Sequence, residues 1–406
     1  MTGESASKAI TTWLEPLRPV LDPCERMNWA RLTALGDELD QVLAIHPVGA
    51  DLPAGIERSR RLGAVRRELA ARGRPDSTGE PALFQLLAQF ICGYCDVDLR
   101  DATGLGHGTL IARHGGLKTR KRWLSRLRAG ELAGIAVTEP HGGSRPAETR
   151  TRAVVGEDGT WLVSGCKTWI SRLTEAAVFV VFFRAPDGQL AAAAVDATQP
   201  GLHRRPIPPT GLAGWTWGVL ELDAVRVRQE DVLHGNGMAL LREHFAGYRP
   251  LVTATALGGA GAVFDAVVER LSARQASGEL SRLRDSALIS LGSAHVQLVT
   301  SLLGTVMAAG FAEAGHVEAE LWGAATKAHG IDTANSVAGE LALLLGASGF
   351  RADCQTSKTR RDLSGLLFAD GIHDSLYRTA GKHHAAGESP VVPTPRARLE
   401  PVAMTA

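Results

Sequence analysis

The sequence predicts a mostly helical α+β fold in which an N-terminal α-helical domain, a middle antiparallel β domain and a C-terminal helical bundle follow one another. Three observations carry this expectation. Apolar residues recur at three- and four-residue steps, as in "LGGAGAVFDAVVERLSARQ", where Leu257, Ala260, Phe264, Val267, Val268 and Leu271 share one face. Between residues 133 and 235 the pattern switches to β-rich runs that fold back at Asp-Gly, in "RAVVGEDGTWLVSG" and "AVFVVFFRAPDGQLAAAAVDA". With 406 residues, 45% of them hydrophobic, the chain can bury a large core and hold two or three structural units.

Taken in order, residues 1–132 form the N-terminal unit. "ALFQLLAQFICGYCDVDL" is apolar on a broad face, and "LKTRKRWLSRLRAGE" sets Leu117, Trp123, Leu124 and Leu127 at helical spacing. The intervening Lys118, Arg120, Lys121, Arg122, Arg126 and Arg128 read as a solvated helix face rather than a nucleic-acid site. "GLGHG", Gly104 to Gly108, lacks the spacing and the preceding strand of a dinucleotide fingerprint and reads as a helix-helix loop. Residues 133–235 hold the strands, to which "GVLELDAVRV" adds an alternating one. Residues 236–390 return to helices in "DSALISLGSAHVQLVTSLLGTVMAAGF" and "DTANSVAGELALLLGASGF", and residues 391–406 are expected to be a flexible tail.

The totals exclude several function classes. A net charge of +1 gives no general attraction to nucleic acid or to an anionic membrane. The start "MTGESASKAITTWLEPL" lacks the order of a secretory signal, so a cytoplasmic protein is expected. Ser286 to Phe311 is apolar but broken by His295 and Gln297, which favours a buried bundle helix over a membrane span. Cys92 and Cys95 in "CGYC" have no second pair to complete a zinc site and read as buried thiols. His373, His383 and His384 lack acidic or cysteine companions at ligand spacing, so no metal is expected. "GIHDS" holds His, Asp and Ser in a row, but no nucleophile elbow accompanies it.

Four strings remain: "VTEPHGGS", "SGCKTWIS", "RPLVTATALGGAG" and "LLLGASGF". The first crowds backbone donors and small residues into one loop, as close approach to a flat polar ring requires. In this order and spacing the strings resemble the acyl-CoA dehydrogenase family over nearly the whole chain. The resemblance implies a middle β-barrel, a C-terminal four-helix bundle and FAD as cofactor. It places Val137, Thr138, Gly143 and Ser144 on the flavin loop, Trp169 over one side of the isoalloxazine and Ser171 at its N5 edge. It puts Arg274 on the FAD pyrophosphate of a neighbouring subunit, and Gly346 and Ala347 near the ADP portion. Ser144, Arg249 and Gly371 fall on the substrate side.

"RRDLSGLLFADGIHDSLYR" resembles the family's Arg-Asp stretch leading to a base and a glycine, matched here by Arg361, Asp362, Asp370 and Gly371. Dehydrogenation at the α,β-carbons of an acyl thioester needs a base on one face and a hydride acceptor on the other. By resemblance Asp370 is that base, and its own N–H stabilises the enolate-like oxygen. Aspartate is shorter than the usual glutamate by about 1.5 Å, and a misplacement of about 1 Å can cost on the order of a hundredfold in rate. "ADG" is also an ordinary turn signal. Ala369, Ile372, Ser277 and Asp285 depart from the family's usual residues, and Tyr248 stands where some members carry an alternative base.

The resemblance implies an acyl-CoA or acyl-carrier-protein substrate, an electron-transferring flavoprotein as electron acceptor, and a homodimer or homotetramer. The departures suggest a specialised acyl group, in secondary metabolism. Two further readings stay open. One is a flavin-dependent monooxygenase or oxidase on the same fold; the other is a flavin-poor binding or assembly subunit.

Overall fold

The computed structural model describes residues 5–73, 79–143 and 145–385, so Ser144 and the tail at 391–406 lie outside the described residues. The N-terminal unit contains α1 (Ala6–Ala9), α2 (Arg18–Leu21), α3 (Trp29–Ile45), α4 (Ile56–Ala71), α5 (Ala82–Cys95), α6 (Thr109–His114) and α7 (Leu117–Arg128). α3 begins where the Asn28 side chain accepts from the Arg31 N–H, and it buries Trp29, Leu32, Leu35, Leu39 and Val42 at steps of three and four. α5 is buried along nearly its whole length, Cys92 included. Burial pushes the Cys92 thiol up to about 12, which leaves it inert. α7 turns Trp123 and Leu127 inward, while Lys118 and Arg122 pair with Glu230 in the turn after the last strand of the β unit.

The middle unit is a seven-stranded sheet of β1 (Leu132–Ala136), β2 (Arg152–Val155), β3 (Trp161–Ser171), β4 (Ala176–Arg184), β5 (Leu190–Asp196), β6 (Leu202–Pro206) and β7 (Trp217–Val227). The strand order is β1-β4-β2-β3-β7-β6, with β5 paired to β4. Both Asp-Gly turns close hairpins, β2–β3 at Gly159 and β4–β5 at Gly188. The sheet is not purely antiparallel: β1 pairs with β4 in parallel. A loop of 15 residues separates β1 from β2, too long for a hairpin turn, so β1 finds its partner across the sheet. β4 is buried on both faces, its Phe179, Val181 and Phe183 in the sheet's own core and its Val178, Val180 and Phe182 against α6 and α7.

The C-terminal unit contains α8 (Gly237–Ala276), α9 (Asp285–Glu313), α10 (Ala319–Ala342), α11 (Gln355–Leu366) and α12 (His373–Ala385). α8 crosses α5 with the two backbones in direct contact. A Cβ on Gly93 would meet the Thr255 carbonyl oxygen at 2.0 Å, and one on Gly258 would meet that of Phe90 at 2.0 Å. The "GGAG" run of α8 is therefore a packing device that brings the two helices within backbone reach.

α8 and α9 are both long and apolar enough to cross a membrane by length and composition. α8 is mostly buried inside the protein. α9, expected to be a buried bundle helix, is packed on only one side: Leu288, Ile289 and Val296 are exposed. Its second apolar face meets nothing among the described residues.

The helix crossing yields a stability test. Gly258→Ala is expected to destabilise the protein by about 3 kcal/mol or more, because the clash is with backbone that cannot rotate away. Gly339→Ala in α10, whose added Cβ meets nothing within 4 Å, is expected to stabilise it by roughly 0.5–1 kcal/mol. Urea denaturation of both variants checks the pair.

Candidate functional site

The turn after α5 is set by buried charge. Asp96 and Asp98 accept from Arg58 of α4, Nη2 to Asp96 at 2.9 Å and Nε to Asp98 at 2.9 Å. Lys358 of α11 reaches Asp96 at 2.7 Å, Asp98 at 3.0 Å and Asp362 at 2.5 Å. Asp362 also accepts from the Leu212 N–H at 2.7 Å and Asp98 from the Gly214 N–H at 3.2 Å. Three units are thereby pinned to one point. The three carboxylates converge as a metal site would, but Lys358 contacts all three. Burial alone would raise Asp98; Lys358 and Arg58 outweigh it and hold it at about 2. Asp362 is pushed up to about 7 by burial, against the pull of Lys358 and with Asp98 and Asp96 adding to the rise.

The same turn, Val97–Asp101, carries Arg100 and Asp101 to the other side. Asp101 accepts from Arg172 Nε at 2.7 Å. Arg172 Nη1 donates to the Ser171 hydroxyl at 2.7 Å, which leaves the Ser171 proton free for a further acceptor. Asp370 stands opposite, 11% exposed, with its Oδ2 3.9 Å from Arg100 Nη1. Its backbone is left-handed, φ 56°, and Gly371 follows at φ 110°. Such a backbone persists only when the surroundings hold it, and two cations do so. Arg249 Nε donates to the Asp370 carbonyl at 3.2 Å; Lys327 Nζ donates to the carbonyls of Leu366 at 2.8 Å and Gly371 at 2.7 Å. Burial brings Lys327 down to about 8 and lowers Arg249 from the usual guanidinium value. The Asp370 N–H makes no hydrogen bond among the described residues. Tyr248 is buried beside these groups; burial, then Asp101, raises its hydroxyl so that it stays protonated.

The loop "VTEPHGG" is fastened to β3. Glu139 accepts from Lys167 Nζ at 2.8 Å, from the Thr151 N–H at 2.9 Å and from the Arg150 N–H at 2.8 Å. Burial opposes its ionisation, yet Lys167 and Thr151 hold it at about 2. Lys167 also donates to the Val137 carbonyl at 3.1 Å and the Thr168 N–H to the Thr138 carbonyl at 2.9 Å. Near the end of β3 stands Trp169, left-handed at φ 57° and 55% exposed, two residues before the buried Ser171 that closes the strand. Gly142 and Gly143 are exposed, and a Cβ on Gly143 would press on Thr138 at 3.0 Å. A cleft of about 440 Å³ opens between this loop and the start of α12, lined by His141, Gly142, Arg145, Ile372, Asp374 and Arg378. An exposed aromatic face, a free serine proton and bare backbone beside an open cleft fit a planar ring with acceptors along one edge.

The structure thus brings Asp370, Gly371 and Arg249 together, and ties Val137 and Thr138 to the strand bearing Trp169 and Ser171. It does not bring the remaining predicted residues to them. Arg274 lies 25 residues beyond Arg249 on the same helix, roughly 37 Å along the axis. There it pairs with Glu279 at 3.1 Å. Gly346, at φ 60°, and Ala347 are exposed on the turn after α10. Arg100, Asp101, Arg172 and Lys327 were not singled out in the sequence. The one signal for Arg172 and Lys327 was a charge standing among apolar or small residues, while Arg100 and Asp101 belong to the charged string "DVDLRD" that reads as a solvated turn.

Residues 134–225 match the model of the acyl-CoA dehydrogenase middle domain, and residues 235–384 that of the acyl-CoA dehydrogenase C-terminal domain. The chain is 27% identical over 279 residues to a probable short/branched chain specific acyl-CoA dehydrogenase of Dictyostelium discoideum, covering 67% of each chain. It is also 27% identical over 279 residues to the very long-chain specific acyl-CoA dehydrogenase of Macaca fascicularis, with 64% of this chain and 42% of that longer one covered. Among solved structures it superposes on an acyl-CoA dehydrogenase of Geobacillus kaustophilus with a TM-score of 0.77 at 18% identity, over 89% of this chain and 99% of that one. A prolyl acyl carrier protein oxidase gives 0.73 at 18% identity, over 87% and 99%.

One pH dependence follows from the walls of the site. His107 and His244 are buried, 3.0 Å apart, and His244 stacks on Tyr248. Burial first, then nearby arginines, lowers both, His244 to about 3. Their folded values lie below the ordinary 6.5, so the stability linked to them is complete above pH 6.5 and is lost as pH falls toward the folded values. His244→Gln is expected to flatten the stability-pH curve between about pH 6 and 4 by about 1.4 kcal/mol per pH unit. Denaturant midpoints of both proteins across that range check it.

Proposed function

Because the chain belongs to the acyl-CoA dehydrogenase family, as a divergent member, we propose that it removes two hydrogens across the α,β-bond of an acyl thioester, with FAD as cofactor and Asp370 as base. The observation that carries this reading is the Asp370 carboxylate: nearly buried, on a backbone pinned from both sides, at the junction of all three units. FAD supplies a hydride-accepting ring when bound. Trp169, Ser171, Val137, Thr138 and Gly143 are the residues that would hold that ring, and the exposed indole and free Ser171 proton fit it.

The chain's own groups then divide the work. Asp370 takes the α-proton. The unpaired Asp370 N–H is the donor available to the thioester oxygen as it gains charge. Arg249 and Lys327 keep the left-handed turn from relaxing, which compensates for a side chain one methylene shorter than glutamate. Tyr248, protonated throughout, serves as a donor rather than as a second base. Burial of the cluster keeps water from competing for the proton.

The acyl group is proposed to be a specialised one, carried on CoA or on a carrier protein, with electrons passing on to an electron-transferring flavoprotein. Self-association is proposed through α9, whose exposed Leu288, Ile289 and Val296 form an apolar face with polar His295 and Gln297 at its margin.

Two measurements test these readings. Asp370→Asn is expected to bind FAD like the parent while losing a factor of about a thousand in the anaerobic rate of flavin bleaching by an acyl thioester; bleaching at the parent rate would remove Asp370 from the chemistry. Ile289→Lys with Val296→Lys is expected to convert an oligomer to monomer in sedimentation velocity, with the flavin loop unaltered.

A further inference from the structure

Resting on the dehydrogenase reading, we propose that the acyl group arrives on an acidic carrier protein and that the basic outer face of α7 is its docking surface. α7 carries Lys118, Arg120, Lys121, Arg122, Arg126 and Arg128 and no acid. The whole chain has a net charge of only +1, so this concentration is local.

A helix face that only meets water gains nothing from this arrangement. Acidic side chains stabilise the first turn of a helix, where the backbone dipole is positive; α7 has none there and carries Lys118 instead. Lys118, Arg122 and Arg126 recur at four-residue steps, where like charges repel. Their partners stand on one flank. Glu230 takes Lys118 at 2.9 Å and Arg122 at 3.4 Å, Asp231 takes Arg122 at 3.0 Å, and Glu131 takes Arg126 at 2.7 Å. Arg120 and Lys121 are exposed and make no ion pair or side-chain hydrogen bond among the described residues. Leu117, three and four residues before them, is 77% exposed.

Unpaired cations beside one exposed leucine complement a surface of carboxylates around an apolar spot. The face is convex and runs roughly 16 Å from Leu117 to Arg128. That shape meets another protein's helix, whereas a free nucleotide needs a concave site. A membrane would need the apolar side of α7, which is turned into the core through Trp123 and Leu127.

The distance to the base agrees with a carrier's arm. Glu230 and Asp231 lie in the turn that leads into α8, and Arg113 at the end of α6 pairs with Glu243 of α8 at 3.3 Å. The basic face therefore stands at the N-terminal end of α8. From Gly237 to Arg249, which holds the Asp370 carbonyl, α8 advances roughly 18 Å. A phosphopantetheine arm spans about fifteen bonds, the extended length of about five residues, or roughly 17 Å. Along α8, Ala239 and Glu243 are exposed on successive turns, and a Cβ on Gly247, next in that row, would meet nothing within 4 Å. An arm laid along this row brings its thioester to the turn that bears Asp370.

The test measures, by calorimetry, binding of an acidic acyl carrier protein bearing its free phosphopantetheine arm to the FAD-loaded protein, a readout that needs no turnover. It also follows anaerobic flavin bleaching by a butyryl group presented on that carrier, on CoA and on bare pantetheine. The carrier is expected to bind at low salt and to weaken by at least about tenfold between about 0.02 and about 0.2 M salt. Arg120→Glu with Lys121→Glu should lower carrier affinity by at least about thirtyfold, and should lower kcat/KM for the carrier-borne group, relative to butyryl-pantetheine, by the same factor. Arg120→Lys with Lys121→Arg should retain the parent values. Carrier binding that is absent at low salt, or unmoved by the charge reversal, would overturn the proposal. So would an equal loss with butyryl-CoA, which assigns the face to nucleotide phosphates, or tighter binding of a DNA duplex or of phosphatidylserine vesicles than of the carrier. If none of the three thioesters bleaches the flavin, the dehydrogenase reading fails, and calorimetry alone decides the docking surface.

Discussion

The buried ion cluster of Arg58, Asp96, Asp98, Lys358 and Asp362 is the constraint on which the geometry of the site depends. It joins α4, the turn after α5, and α11, and through the N–H groups of Leu212 and Gly214 it also grips the middle unit. Three carboxylates share two cations, so the removal of either cation, Arg58 or Lys358, leaves buried carboxylates uncompensated, a loss of several kcal/mol. The approach also demands glycine. A Cβ on Gly211 would stand 1.9 Å from the Arg361 carbonyl oxygen, and one on Gly214 would stand 2.4 Å from Asp98 Cγ.

What the cluster fixes on one side it presents on the other. The turn that faces Arg58 and Lys358 with Asp96 and Asp98 offers Arg100 and Asp101 on its reverse. The helix that carries Lys358 and Asp362 ends four residues before Asp370. Arg100, Asp101 and Asp370 are therefore positioned by one shared anchor rather than by separate loops. Arg249 and Lys327 complete the arrangement by holding the backbone on either side of the carboxylate.

The order of helical, β and helical units was legible because each follows from local periodicity, and the two Asp-Gly turns close the hairpins that their sequence requires. The parallel pairing of β1 with β4 was not, since it depends on where a long loop returns the chain. Nor was the open face of α9, because periodicity reports that a face is apolar and not what covers it. Asp370, Arg249 and Trp169 could be picked out by their place in recurring strings. Arg100, Arg172 and Lys327 could not, since an isolated charge in sequence looks solvated and only tertiary packing shows that it is enclosed. Glu139 was visible in the loop string, but its role as the anchor to Lys167 and Thr151 belongs to the fold. The "GGAG" of α8 likewise turned out to serve a helix crossing.

Proton removal by the carboxylate on the pinned turn is the central claim, and it can be isolated from hydride transfer. The decisive measurement is exchange of the α-hydrogens of a bound acyl thioester with deuterated solvent, read by nuclear magnetic resonance with the flavin already reduced so that hydride transfer is blocked. The account predicts rapid exchange in the parent protein and almost none once the Asp370 carboxylate is replaced by an amide. Equal exchange in both would show that another group removes the proton.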